Sequence, residues 1–424
     1  MSLAPWAWQC AGDLMVQPPA AAHGWDQLSL AELLEAISAV HASSAQSQSP
    51  RQHPQFPGLG LALLERDLNP QACEQLRQAA DRQRAQCVGD TVTYVVNRNL
   101  NVSNHCTKHC SFCAFRRDPG EPGAYWLDRS ELMRRAAEAQ AAGATELCVQ
   151  GGLNPAATLQ GSFTAYAEQL LRDLRRAAPG IHLHAFSPQE LLFLAEGDGL
   201  PLAQVLERLQ LAGLGSVPGT AAEVLSERVR RVLCPEKLSA QAWCAVILEV
   251  HAAGLASTAT LMAGHIEAPA DRVAHLLTLL ALQQHARRQG WPGFSEFVLL
   301  PFVGQAAPAP LRQRVGRSQP DLEAMLLLTA QARLLLGPAF PNHQPSWVKL
   351  TLSGATQALR WGCNDLGGTL MEEHITTMAG AQGGTCQTAE ALEAAARSLG
   401  RPVRRRSTLY GSVTPAAMHR TVPV

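Results

Sequence analysis

Cys106-Thr107-Lys108-His109-Cys110-Ser111-Phe112-Cys113 sets three cysteines at a C-x3-C-x2-C spacing, directly after an alternating apolar run from Val92 to Val102. Thiolates are soft ligands that suit iron–sulfur clusters or zinc. Three on so short a loop can reach one metal centre without help from the rest of the chain. A structural zinc site closes with four ligands, and no second cysteine pair stands nearby. The loop therefore leaves one coordination position open, and on a [4Fe-4S] cluster that open iron can take a substrate or cofactor. The competing readings are a zinc site completed by His105 or His109, and buried cysteines that hold no metal.

Around this loop the pattern alternates between strands and helices. Strands are expected at Thr91 to Asn101, Thr145 to Gln150, Ile181 to Phe186, Gly213 to Val217, Leu255 to Met262, Phe294 to Leu299, Trp347 to Leu350 and Gly362 to Leu366. Helix-sized segments separate them, one of which, Ser130 to Ala142, takes Ser130 as its cap. Repeated strand–helix units imply parallel strands with helices outside, and eight of them fit an α/β fold of the (β/α)8 TIM type. A doubly wound open sheet is the alternative. The barrel is preferred because polar residues recur after successive strands, where a barrel gathers them on one face.

The domain expectation is a disordered extension over residues 1–58, a helical cap over 59–88, the barrel over 89–386, and a C-terminal helix and tail over 387–424. The extension carries Pro18-Pro19-Ala20-Ala21-Ala22 and the tract Ser43 to Pro50, which bury little. Leu28, Leu30, Leu33, Leu34 and Ile37 mark one helix within it. Charged residues are only 17% of the 424, with Lys+Arg and Asp+Glu equal at 35 each. That balance gives no electrostatic argument for nucleic acid or an anionic membrane, and no apolar run approaches a membrane span. Eleven cysteines, an odd number in a long chain with three assigned to the loop, fit a reducing cytoplasm better than a disulfide framework.

Several strand ends carry candidate chemistry. Gln150-Gly151-Gly152-Leu153-Asn154-Pro155 follows the second strand, and glycines let a backbone approach a ligand closely; a plain turn is the alternative. His184, Ser187 and Glu190 stand at or past the third strand, and Glu223 follows the fourth, where it could serve only the helix dipole. Gly264-His265-Ile266-Glu267 offers a histidine and a carboxylate on the rim. Trp347 and Lys349 share one side of the seventh expected strand, and an inward lysine needs a partner or an anionic ligand. Asn364-Asp365-Leu366-Gly367-Gly368, then Glu372-Glu373, complete the set.

The cysteine loop and these strand ends resemble the radical S-adenosylmethionine enzymes. Within them, the segments Val88 to Asn99, Cys106 to Arg117, Gln150 to Pro155, His184 to Glu190, Gly213 to Glu223, Gly264 to Glu267 and Asn364 to Glu373 resemble the second subunit of deazaflavin (FO) synthase. The likeness spans about Leu61 to Gly380 and implies a set of roles. Cys106, Cys110 and Cys113 would hold a [4Fe-4S] cluster. Phe112, Gly151, Gly152 and Glu223 would bind S-adenosyl-L-methionine. His265, Glu267, Lys349 and Asp365 would hold substrates beside the radical. The implied reaction cleaves L-tyrosine and adds its 4-hydroxybenzyl group to 5-amino-6-(D-ribitylamino)uracil, with FO synthase subunit 1 as functional partner. The related aminofutalosine synthase of menaquinone biosynthesis is the alternative. The segments before Gly58 and after Cys386 match nothing in this family.

Overall fold

The computed structural model describes residues 2–46 and 53–413. The first expected strand divides into β1 (Val92–Val95) and β2 (Asn97–Asn101). From β2 a seven-stranded parallel sheet runs in chain order through β3 (Glu146–Gln150), β4 (His182–Ala185), β5 (Leu214–Val217), β6 (Ala256–Ala263), β7 (Phe294–Pro301) and β8 (His343–Pro345). β9 (Asp365–Gly368) pairs with β1, as does β10 (Val403–Arg405) on the other edge. β9 also closes the circle. Asn99 N–H donates to the Leu370 carbonyl at 2.9 Å, and Asn364 N–H donates to the His343 carbonyl at 3.1 Å. Eight strand positions thus surround one interior, with the bonding divided between two sheets. β6 is buried at every residue, as expected of parallel strands covered on both faces.

Two strand expectations are corrected. Trp347 to Leu350 is not the seventh strand. That strand is His343–Pro345, and Trp347 opens the helix Trp347–Ala358. Pro345-Ser346 is the turn signal that the apolar, β-prone run after it obscures. The eighth strand starts at Asp365, three residues later than expected, because Gly362 turns at φ 104°. The helix over Arg129–Ala141 is capped by Asp128, which accepts the Glu131 N–H at 2.9 Å, while Ser130 only donates its hydroxyl to Asp128.

The disordered extension is corrected as well. α1 (Pro5–Leu14) lays Ala7, Ala11 and Leu14, all buried, on the helix Ala240–Ala252. Alanines four residues apart give a flat face that allows close approach, a feature that average composition hides. α2 (Leu30–Gln46) buries Leu30, Leu33 and Ile37. α3 (Phe56–Leu64) and α4 (Pro70–Val88) follow, and α4 is capped by Asn69 with Pro70 in its first turn. Residues 47–50 of the Ser-rich tract and residues 414–424 of the tail lie outside the described residues. Among the described residues no helix is long and apolar enough to cross a membrane.

Candidate active site

The cysteine loop leaves β2 at the C-terminal end of the strands and is pinned by backbone bonds. Thr107 N–H donates to Leu153 O at 3.1 Å, Ser111 N–H to Leu233 O at 2.9 Å, and His109 N–H to the Glu236 carboxylate at 2.9 Å. Cys106, Cys110 and Cys113 all line one cavity at this end of the barrel. Burial raises the Cys110 thiol to about 12, so this sulfur gives up its proton only to a cation that replaces it.

β3 ends against the loop. A Cβ on Gly152 would lie 2.1 Å from the His105 carbonyl oxygen, so only glycine fits. Gly151 N–H donates to Glu190 Oε1 at 3.0 Å. Glu190 in turn completes a capping box with Ser187 at the start of the helix Pro188–Asp198. Burial raises Glu190 despite these bonds. The glycine pair therefore brings three strand ends and the loop together, whatever ligand it also meets.

After β5, Glu223 pairs with Lys237, Nζ to Oε1 at 2.6 Å, and the ammonium lies 5.4 Å from the centre of the Phe112 ring. Burial opposes both charges, but each stabilises the other. Lys237 is held above its ordinary value and Glu223 below it. On the opposite wall stand Lys349 and Glu373. Lys349 makes no ion pair among the described residues, and burial lowers its ammonium. Between these walls stand Met262 of β6, Leu300 of β7 and Phe302 just after it.

The backbone marks the same rim. Among nine described non-glycine residues with positive φ, six stand there: Phe186, Ala221, Glu223, Thr351, Leu370 and Met371. Such conformations persist where the surroundings enforce them and cluster at functional sites.

Of the expected site residues, the three cysteines, Phe112, Gly151, Gly152, Glu223 and Lys349 line this cavity. Three do not. Glu267 is wholly enclosed, accepting from the N–H groups of Gly264 and His265 and from Arg272. The His265 ring is enclosed too, with Nε2 3.1 Å from Met262 O. These two close their own turn instead of facing the cavity. Asp365 begins β9 at the opposite end of the barrel and is bound by Arg406. His184 lies inside the barrel, 2.7 Å from Ser216 Oγ, and burial lowers it to about 4. Lys237 escaped the sequence reading. Its signal is a single lysine in Cys234-Pro235-Glu236-Lys237, a turn far in sequence from the strand end that it serves.

The donor set suits an iron–sulfur cluster: three thiols line one cavity, while the nearby Cys234 is buried and does not line it. Among the described residues no three His, Cys, Asp or Glu side chains gather as a single-ion site, so the fit rests on donor chemistry and the glycine-lined approach.

Residues 100–280 match the radical SAM superfamily. The fold is similar to methylornithine synthase (TM-score 0.63, 14% identity, 88% of this chain and 97% of that one). It is equally similar to HydG, a maturase of the [FeFe]-hydrogenase (TM-score 0.63, 12% identity, 93% and 78%). A 5-amino-6-(D-ribitylamino)uracil–L-tyrosine 4-hydroxyphenyl transferase of Cyanothece sp. is 57% identical over 84% of this chain and 93% of its own length. The Synechocystis sp. protein of the same name is 56% identical over 84% and 90%. Identity of this extent, over a chain that keeps the cysteine loop and its glycine-lined cavity, makes it a member of the 5-amino-6-(D-ribitylamino)uracil–L-tyrosine 4-hydroxyphenyl transferase family of radical SAM enzymes.

Proposed function

We propose that the chain transfers the 4-hydroxybenzyl group of L-tyrosine to 5-amino-6-(D-ribitylamino)uracil, a step towards coenzyme F0, using a [4Fe-4S] cluster and S-adenosyl-L-methionine. The observation that carries this reading is the single cavity shared by Cys106, Cys110, Cys113, the Gly151-Gly152 strand end and two lysine-bearing walls. When bound, the cluster and S-adenosylmethionine supply a radical able to take a hydrogen atom from the amino acid. The three thiolates would hold the cluster, with Phe112, the glycine pair and the Glu223–Lys237 pair forming the cofactor wall.

Lys349 supplies an ammonium that makes no ion pair among the described residues, suited to the tyrosine carboxylate. Glu373 keeps a carboxylate on the same wall for the ammonium, while its oxygens also accept the Thr376 N–H at 3.0 and 3.1 Å. Met262, Leu300 and Phe302 give the phenol ring an apolar bed and exclude water from the reacting carbon. The product then passes to FO synthase subunit 1 for ring closure.

The test is a cysteine series on anaerobically reconstituted protein. About four irons per chain are expected, with loss of S-adenosylmethionine cleavage when Cys106, Cys110 or Cys113 becomes Ala. Cys148→Ala and Cys234→Ala should retain it. Bound zinc in place of iron, or an active loop variant, contradicts the reading.

A further inference from the structure

β2 carries asparagine at every second position: Asn97, Asn99 and Asn101. Side chains alternate along a strand. Arg98 points outward to Glu138 and Glu372, so the three amides face the barrel interior. Asn97 is committed to the fold: its amide donates to Glu146 Oε1 at 2.7 Å and accepts the Leu370 N–H at 2.9 Å. Asn101 is buried, its Nδ2 3.5 Å from Gln150 O and its Oδ1 without a partner among the described residues, but it does not line the cavity. Asn99 alone of the three lines the catalytic cavity. Its Oδ1 is buried and accepts no hydrogen bond among the described residues, while its backbone is fixed by the bond to Leu370. A buried carboxamide oxygen with no donor, on a backbone held in place, is a costly feature unless a ligand fills it.

We infer that Asn99, its carboxamide turned into the cavity, reads the lactam edge of the uracil acceptor, its oxygen accepting a ring N–H and its NH2 donating to the neighbouring carbonyl. This rests on the function proposed above. A carboxamide and a lactam each offer one donor beside one acceptor, so the two pair at two points. Tyrosine offers no such neutral edge, and its charged groups are matched by Lys349 and Glu373. The position agrees: in a ring of eight strands β2 stands across from β6, whose Met262 belongs to the apolar wall assigned to the phenol. Asn99 thus faces the ring's partner from the far side of the cavity.

The experiment compares the reconstituted full chain with Asn99→Ala and the isosteric Asn99→Asp. The first readout is the Kd of 5-amino-6-(D-ribitylamino)uracil for unreduced protein by calorimetry. The second is tyrosine KM and tyrosine-dependent S-adenosylmethionine cleavage. Both variants should weaken uracil binding by about ten- to hundredfold, with a smaller effect on tyrosine KM and cofactor cleavage. Asn99→Asp keeps the side-chain shape and carries the comparison if the alanine variant loses its cluster. Unchanged uracil affinity in a folded variant overturns the inference, as does a larger effect on tyrosine, which would assign Asn99 to the phenol. If the wild-type chain itself binds no uracil, the parent reading fails and this one with it.

Discussion

Arg406 grips Asp365 with two hydrogen bonds, Nε to Oδ2 at 2.5 Å and Nη2 to Oδ1 at 2.9 Å, where the strands begin. The same guanidinium reaches Glu296 at 3.1 Å and lies 4.0 Å from the centre of the Tyr410 ring. Tyr410 also donates its hydroxyl to Glu296. The C-terminal segment therefore plugs the barrel at the end away from the chemistry. Arg406→Met leaves two buried carboxylates without their cation and should cost about 3–5 kcal/mol in chemical denaturation. A loss below about 1 kcal/mol would mean that the plug carries no load.

His265 and Glu267 are placed to hold a turn. Despite burial, His265 and Arg272 keep Glu267 well below the usual carboxylate range. Glu267→Ala should lower stability by about 3 kcal/mol, with kcat/KM intact at a temperature where the variant stays folded. A specific loss of turnover with unchanged melting would return these residues to the active site.

Deletion of residues 1–15 removes α1 and bares the helix beneath it, where Gln241 donates to the Trp8 carbonyl at 2.9 Å. It also removes the Ala4 N–H from Glu249, a bond of 2.8 Å. The truncated chain should aggregate or melt earlier than the full chain in a thermal scan. Equal melting would mean that α1 is an accessory.

Acid should destabilise the protein well above the range in which carboxylates titrate. Burial lowers His184 to about 4 and His251 and His275 to about 3. An unfolded histidine titrates near 6.5. These neutral histidines contribute stability that is present above that pH and is lost as pH falls towards their folded values. Each contributes a slope of up to about 1.4 kcal/mol per pH unit. Denaturation midpoints should therefore fall between pH 6.5 and 4; a flat profile there would contradict the burial of these rings.

The cysteine loop and the glycine pair were legible in sequence because their meaning lies in spacing within one segment. Lys349 was identified on a strand, yet it reaches the cavity from a helix, since the Trp347 run alternates well enough to imitate β structure. Asp365 was misplaced by a three-residue error in the start of β9. On a barrel strand that distance separates the catalytic end from the plugged end. Lys237 and Asn99 were invisible for opposite reasons. Lys237 acts through a partner fourteen residues away, and Asn99 is distinguished from Asn97 by an amide oxygen the fold leaves unpaired and from Asn101 by its place on the cavity wall.

The central claim is the reaction, and product analysis tests it most directly. Anaerobic, reconstituted and reduced protein is incubated with S-adenosylmethionine, L-tyrosine and 5-amino-6-(D-ribitylamino)uracil, and the products are read by mass spectrometry. The account predicts a 4-hydroxybenzyl adduct of the uracil together with 5'-deoxyadenosine. Adduct formation with a chorismate-derived enol ether, and none with the uracil, would contradict it and move the chain to the menaquinone branch.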